Sequence, residues 1–412
     1  MSETTFPGRE MQQLPSRFIT AGVLALFCSV TAQALTIDGD YDEITEWASP
    51  TSSVRFFGSA VSLSGNEAVI LAPQRLGSSS LGVASVFRRD TSGLWSAEIG
   101  LADPETSLSD STCNRVAIND DVVAIGAPHQ TVGLHPGQGA VSIRTRTSTG
   151  WASAVITQPD GATGDNFGCS LAFHENLLAI GAPRVNSSGA VYLYERVGNT
   201  WNYFTKLAST DAASGDLFGA AVSFAHDSGI LAVGAPGKNS AVGAAYVFTL
   251  RVRTWTQQAK LTSTDGKTND LLGSSVSASG QSVAVGAPAD AAATGAAYIF
   301  ENSGSAWAQN AKIVADVPIT AGYFGSSVAL STNLLAVGEY GNDAAHIYTG
   351  NVAATWSRQA SIGSDGRGAF GYAVALSDGN LLIGAPNEGS SAGGKAYLFQ
   401  SDVIFADGFG ER

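Results

Sequence analysis

Charge is scarce in this chain. Only 14% of the 412 residues are Asp, Glu, Lys or Arg, and 35 acidic residues against 22 basic ones leave a net charge of −13. Phosphate backbones need a basic footprint, so a nucleic-acid partner is not expected. An acidic surface has no electrostatic reason to lie on anionic lipid either. Methionine is confined to Met1 and Met11, and cysteine to Cys28, Cys113 and Cys169. Helical periodicity is missing as well: no segment sustains a 3.6-residue apolar repeat, and glycine recurs every few positions. Serine is plentiful, yet there is no GxSxG elbow and no marked acid–His–Ser set.

The one long apolar run lies at the N-terminus. Arg17 precedes FITAGVLALFCSV, and Ala32-Gln33-Ala34 supplies the small residues a signal peptidase needs. Residues 1–34, starting from Met1 or Met11, therefore read as a removable signal peptide. The run is too short to span a membrane comfortably, so no transmembrane segment is expected in the mature chain. The expected address is outside the cytoplasm: extracellular, at the cell surface, or periplasmic. Cys28 is set aside as a lipid-anchor site because bulky Phe27 precedes it.

What the chain has in abundance is repetition. The stretch Phe167–Arg196, FGCSLAFHENLLAIGAPRVNSSGAVYLYER, recurs from Phe218, Leu272, Phe324 and Phe370, and in divergent form from Phe57 and Cys113. The equivalent glycines are Gly126, Gly181, Gly234, Gly286, Gly338 and Gly384, with Leu71 in that place in the first copy. Their spacing of 46 to 55 residues is a propeller-blade period. A tryptophan precedes each copy: Trp47, Trp95, Trp151, Trp201, Trp255, Trp307 and Trp356.

From Trp201 the unit reads as four strands, WNYFTKLAS, LFGAAVSFA, ILAVGAP and AAYVFTL, joined by turn-rich clusters. Runs such as LLAIGAP are apolar throughout, as expected of strands covered on both faces. Gly-Ala allows neighbouring backbones to approach, proline then withholds a ladder donor, and phenylalanine plugs the space between blades. The expected fold is all-β: a seven-bladed β-propeller of four-stranded antiparallel blades over residues 35–400, with a polar lead-in from Leu35, a strand near Ile44–Trp47, and a short tail, 401–412. Copies two and six break the pattern, at Cys113-Asn114 and at Glu339-Tyr340; Glu339 stands where the others have alanine.

These motifs resemble FG-GAP repeats, the units of the integrin alpha propeller and of many exported bacterial proteins. The resemblance implies a binding or adhesion module. Integrin-type calcium loops lie between the Phe-Gly strand and the Gly-Ala-Pro strand. Here the two glycines are only 13 residues apart in four copies, as from Gly168 to Gly181, leaving hairpins of HEN, SGQS, STN or SDGN. Calcium needs ligands spread over about nine to twelve residues, so no cofactor is expected at that position. The tail, DVIFADGFGER, resembles a short terminal signature of exported bacterial proteins, interrupted here by Gly410.

Several candidate site residues follow. Asp160 and Asp165, Asp211 and Asp216, and Asp265 and Asp270 form repeated pairs that could hold cations, or could cap turns by accepting backbone N–H groups. His129 and His135 flank one loop, with no Cys or carboxylate nearby in sequence to complete a metal set. Cys113 and Cys169, at nearly the same place in adjacent repeats, are a possible disulfide, though two small buried hydrophobes is the simpler account. The loops after Gly-Ala-Pro vary most, and a ligand face there would carry Arg184, Asn186, Lys238, Asn239, Asp290, Asn387 and Glu388. The favoured expectation is a monomeric exported module that binds protein or carbohydrate through rim loops. A carbohydrate hydrolase or lyase working at the central channel, and a structural envelope component, are the alternatives.

Overall fold

A computed structural model of the chain describes residues 35–38, 41–48, 55–73, 82–102, 113, 115–225, 228–304, 306–350, 355–364, 368–389 and 393–401. Residues 1–34, expected to be a signal peptide, and all of the tail beyond residue 401 lie outside them. The seven copies fold as seven antiparallel sheets. Their innermost strands are Ala60–Ser64, Val116–Asn119, Ser170–His174, Ala221–Ala225, Ser275–Ser279, Ser327–Ser331 and Ala373–Ser377, which number blades 1 to 7. Each innermost strand packs beside the next, and that of blade 7 meets that of blade 1, so the ring closes around a channel.

Blade 3 shows why this sequence makes a blade. Ser170–His174, Leu177–Ala182, Ala190–Val197 and Thr200–Leu207 lie in that order from the axis outward. All six residues of Leu177–Ala182 are buried. Side chains alternate across a strand, so Leu178, Ile180 and Ala182 pack toward blade 2 while Leu177 and Ala179 pack toward blade 4. Unbroken hydrophobicity is therefore the mark of a sheet with two covered faces. The phenylalanines Phe57, Phe167, Phe218, Phe324 and Phe370 sit at 0–1% exposure between blades, with Leu272 in their place in blade 5.

Glycine governs how closely blades approach. A Cβ on Gly181 would lie 2.0 Å from the Gly219 carbonyl oxygen of the next blade. The same pairing of glycines recurs around the ring, as between Gly126 and Gly168 and between Gly384 and Gly58. Blade 1 carries Leu71 instead, and blade 2 is the blade whose Phe-Gly is replaced by Cys113-Asn114. The two departures thus fall at the same junction.

Edge groups of the inner strands are satisfied between blades. The hydroxyls of Ser170, Ser275 and Ser327 donate to the carbonyls of Gly219, Gly325 and Gly371 at 2.8–2.9 Å. Lower in the channel, Ser223, Ser277 and Ser279 accept from the N–H groups of Ala278, Leu330 and Thr332 at 2.9–3.0 Å. These bonds answer the open edges that strands at an axis present.

Three details differ from the sequence reading. A repeat read from its tryptophan straddles two blades, because the tryptophan strand is the outer edge of the blade before. That offset is what closes the ring: Tyr41–Ala48, bearing Trp47, pairs with Lys395–Ser401 as the outer strand of blade 7. The expected lead-in is also a strand, Leu35–Asp38, paired with Trp356–Ser364 as a fifth strand of blade 6. Finally, Cys113 and Cys169 are joined by a disulfide between the starts of blades 2 and 3, rather than left as free thiols.

Candidate functional site

The antiparallel order puts the post-proline loops and the blade-to-blade connections on one face. The inner hairpins, such as the two-residue turn Glu175-Asn176 between His174 and Leu177, lie on the other. On the loop face the channel opens into a cavity of about 480 Å³. Its wall includes Asn166, Arg184, Leu217, Leu271, Tyr323, Tyr340 and Tyr372, together with serines such as Ser59, Ser274 and Ser326.

One backbone feature presents side chains to this opening. The residue before each Phe-Gly has a left-handed conformation: Phe56, Asn166, Leu217, Leu271, Tyr323 and Ala369 all have φ between 55° and 61°. Such a φ is unfavourable for residues other than glycine and persists only where the surroundings impose it. Its recurrence makes it a property of the architecture. What varies is the side chain carried there, and Asn166, Leu217, Leu271 and Tyr323 all line the cavity.

Blades 6 and 7 supply an aromatic cluster. Tyr323 and Tyr340 stack at 5.0 Å between ring centroids and 6° between planes. Tyr372 lies 5.4 Å from Tyr340 at 59°. All three are half-buried. Burial, with the neighbouring tyrosines second, holds the Tyr340 phenol above its ordinary pKa. Sequence reasoning missed this cluster, although Tyr340 stands where the other six copies have proline.

The paired aspartates have partners within the protein. Asp160, Asp211 and Asp265 accept from Tyr192, Tyr246 and Tyr298 at 2.7–2.9 Å and from Lys206, Lys260 and Lys312 at 2.6–2.7 Å. Burial and the adjacent carboxylates push all three tyrosines far above their ordinary pKa. Asp165, Asp216 and Asp270 are buried and cap turns, accepting from the N–H groups of Ala162, Ala213 and Lys267 at 2.6–2.7 Å. Among the described residues no cluster of three or more His, Cys, Asp or Glu is arranged to hold a metal.

Of the rim candidates, Arg184, Asn186, Asn239 and Asn387 are exposed, and only Arg184 borders the cavity. The other three candidates turn inward. Lys238 is 4% exposed and donates to Asp216 at 2.8 Å. Asp290 accepts from Tyr298 at 2.6 Å and pairs with Lys312 at 2.9 Å. Glu388 accepts from Tyr397 at 2.6 Å and pairs with Lys395 at 3.2 Å. These three are corrected from ligand candidates to internal contacts, because a charge is kept in a buried position by a partner. His135 is exposed on its loop and His129 half-buried.

Glu339 finds its explanation here. Blade 6 has Gly322 where blades 3, 4 and 5 have Asp165, Asp216 and Asp270, and a Cβ on Gly322 would lie 2.6 Å from Glu339 Oε1. The Glu339 carboxylate thus occupies the place of the missing aspartate. It accepts from Asn342 at 3.1 Å and meets His346, which replaces the repeat's tyrosine, at 2.8 Å.

Fold and site together define a seven-bladed propeller whose loop face opens on an aromatic-walled cavity. Residues 151–194, 201–248, 255–300 and 307–352 match the FG-GAP repeat, each match starting near a blade's outer tryptophan strand. With FG-GAP repeats at these four positions and seven antiparallel blades in one ring, the chain is an FG-GAP repeat β-propeller. Virginiamycin B lyase from Staphylococcus aureus is similar in fold: 9% identity, 89% of this chain and 99% of that chain covered, TM-score 0.55. So is a chain in the crystal structure of the mitotic checkpoint complex, with 12% identity, 92% and 99% covered, and a TM-score of 0.54. At such identities the likeness is one of fold. No curated protein matches the sequence.

Proposed function

We propose that this propeller is an exported binding module that engages protein or carbohydrate on its loop face, without calcium at the integrin-type position. The observation carrying the reading is the cavity at the channel mouth, about 480 Å³ and walled by tyrosine, serine, proline and leucine. Small-molecule sites commonly measure roughly 300–1,000 Å³ and join aromatic surface to a few polar groups. None of the described residues lining it is a carboxylate or an imidazole. A hydrolase or lyase working there would want such a pair for proton transfer, so binding is favoured over catalysis. The leader-like N-terminus supports export, and the Cys113–Cys169 bridge suits an oxidising compartment. In six of the blades the hairpin at the integrin calcium position has two residues, which supports the calcium-free reading.

The test is a binding screen of the chain from Leu35 onward against glycans and extracellular matrix proteins, run with calcium and with chelator. Binding unaffected by chelator is expected. Binding abolished by chelator overturns the calcium-free reading and directs attention to the paired aspartates. Binding to neither class overturns the module reading and sends the search to the enzymatic alternative.

A further inference from the structure

We infer that Tyr323, Tyr340 and Tyr372 form a saccharide-stacking subsite at the channel mouth. The inference rests on the binding reading above and names its ligand class.

In a repeat protein, residues demanded by the architecture recur from copy to copy, so departures that converge in space call for another explanation. Two departures and one residue at a variable position converge here. Tyr340 stands in place of proline, which the other six copies have at Pro73, Pro128, Pro183, Pro236, Pro288 and Pro386. Tyr372 stands where Ser59, Cys169, Ala220, Ser274 and Ser326 follow the Phe-Gly glycine. Tyr323 occupies the left-handed presenting position at φ 55°, where Asn166, Leu217 and Leu271 line the same mouth. The three come from separate loops of blades 6 and 7, yet the Tyr340 ring meets those of Tyr323 and Tyr372 at 5.0 and 5.4 Å. Blades 1 to 5 form the same four-stranded sheets and pack side by side in the ring with other residues at these positions.

Ligand chemistry follows from what the wall offers. Tyrosine combines a flat apolar ring with a polar tip. A pyranose is complementary to that, with C–H groups on its faces and hydroxyls around its edge. Serine hydroxyls line the adjoining wall. A peptide adding as a strand needs free backbone edges, but the Gly219, Gly325 and Gly371 carbonyls just before the inner strands are already engaged by Ser170, Ser275 and Ser327. Phosphorylated ligands are disfavoured by the net charge of −13.

The subsite is tested by isothermal titration of the chain from Leu35 onward with soluble cello-, chito-, xylo- and manno-oligosaccharides. The same preparation is screened against matrix proteins. Two variants, Tyr340→Pro and Tyr372→Ser, install residues the repeat itself uses at those positions, and thermal melts check that each is folded. At least one oligosaccharide series is expected to bind, with affinity falling about tenfold or more in both variants. Saccharide binding unchanged in both folded variants overturns the tyrosine subsite and leaves the module reading standing. Binding to matrix protein with none to saccharide overturns the ligand class alone. Binding to neither overturns both.

Discussion

Glu339 Oε2 lies 2.8 Å from His346 Nε2 in blade 6, whereas the other six blades have alanine in place of Glu339 and four of them have tyrosine in place of His346. Both residues are buried, at 0% and 6% exposure. Either one alone would leave the other without this partner, so the pair should be energetically coupled. Glu339→Ala and His346→Phe are each expected to destabilise the fold, and the double variant by less than their sum. A coupling of about 1–3 kcal/mol is expected from urea unfolding of the four proteins. Strict additivity would mean that the contact carries no energy.

Lys238 and Asp216 make a second buried pair, at 4% and 3% exposure. Lys238→Met keeps most of the side-chain volume but strips Asp216 of its cation, leaving the Ala213 N–H as its remaining bond. Removing one partner of such a pair typically costs about 3–5 kcal/mol. Chemical denaturation should register a loss of that order. A loss under about 0.5 kcal/mol would return Lys238 to the surface, where ligand binding could use it.

Asp211 has a depressed pKa of about 2 against an ordinary 3.8. Burial, the largest influence, pushes it up, and hydrogen bonds from Lys260 and Tyr246 together outweigh burial. A carboxylate depressed on folding stabilises above its unfolded pKa, and that contribution is lost as pH falls through the folded one. Asp211→Asn should therefore be less stable than wild type at neutral pH, with the gap closing between about pH 4 and pH 2. The side chain is 42% exposed, so the gap at pH 7 should be under about 1 kcal/mol. Paired melts across that window read it directly.

Gly181→Ala tests the blade junction. The added methyl would meet the Gly219 carbonyl at 2.0 Å, and a backbone atom cannot swing aside as a side-chain tip can. A loss of about 1–3 kcal/mol or more is expected in thermal or urea unfolding. Gly198→Ala has nothing within 4 Å of the new methyl, so its cost should come from its φ of 61° alone. That separates crowding from backbone strain.

Much of this molecule could be read in one dimension. The number of blades, the antiparallel meander, the phenylalanine plugs and the Gly-Ala approach all follow from a pattern repeated seven times, because each blade meets the same local demands. Leu177–Ala182 is apolar throughout since both its faces are covered, and no knowledge of the whole ring is needed to see that. Glu339 was visible as an exception, though its reason was not.

Only the folded ring decided the rest. Tyr323, Tyr340 and Tyr372 lie in three loops, and only closure of blades 6 and 7 around one axis brings their rings together. Lys238, Asp290 and Glu388 sit in variable loops that read as surface, yet the chain turns them inward onto Asp216, Tyr298 and Tyr397. Repeats dictate architecture because they act between neighbours. A site drawn from several blades depends on distances that sequence spacing does not contain.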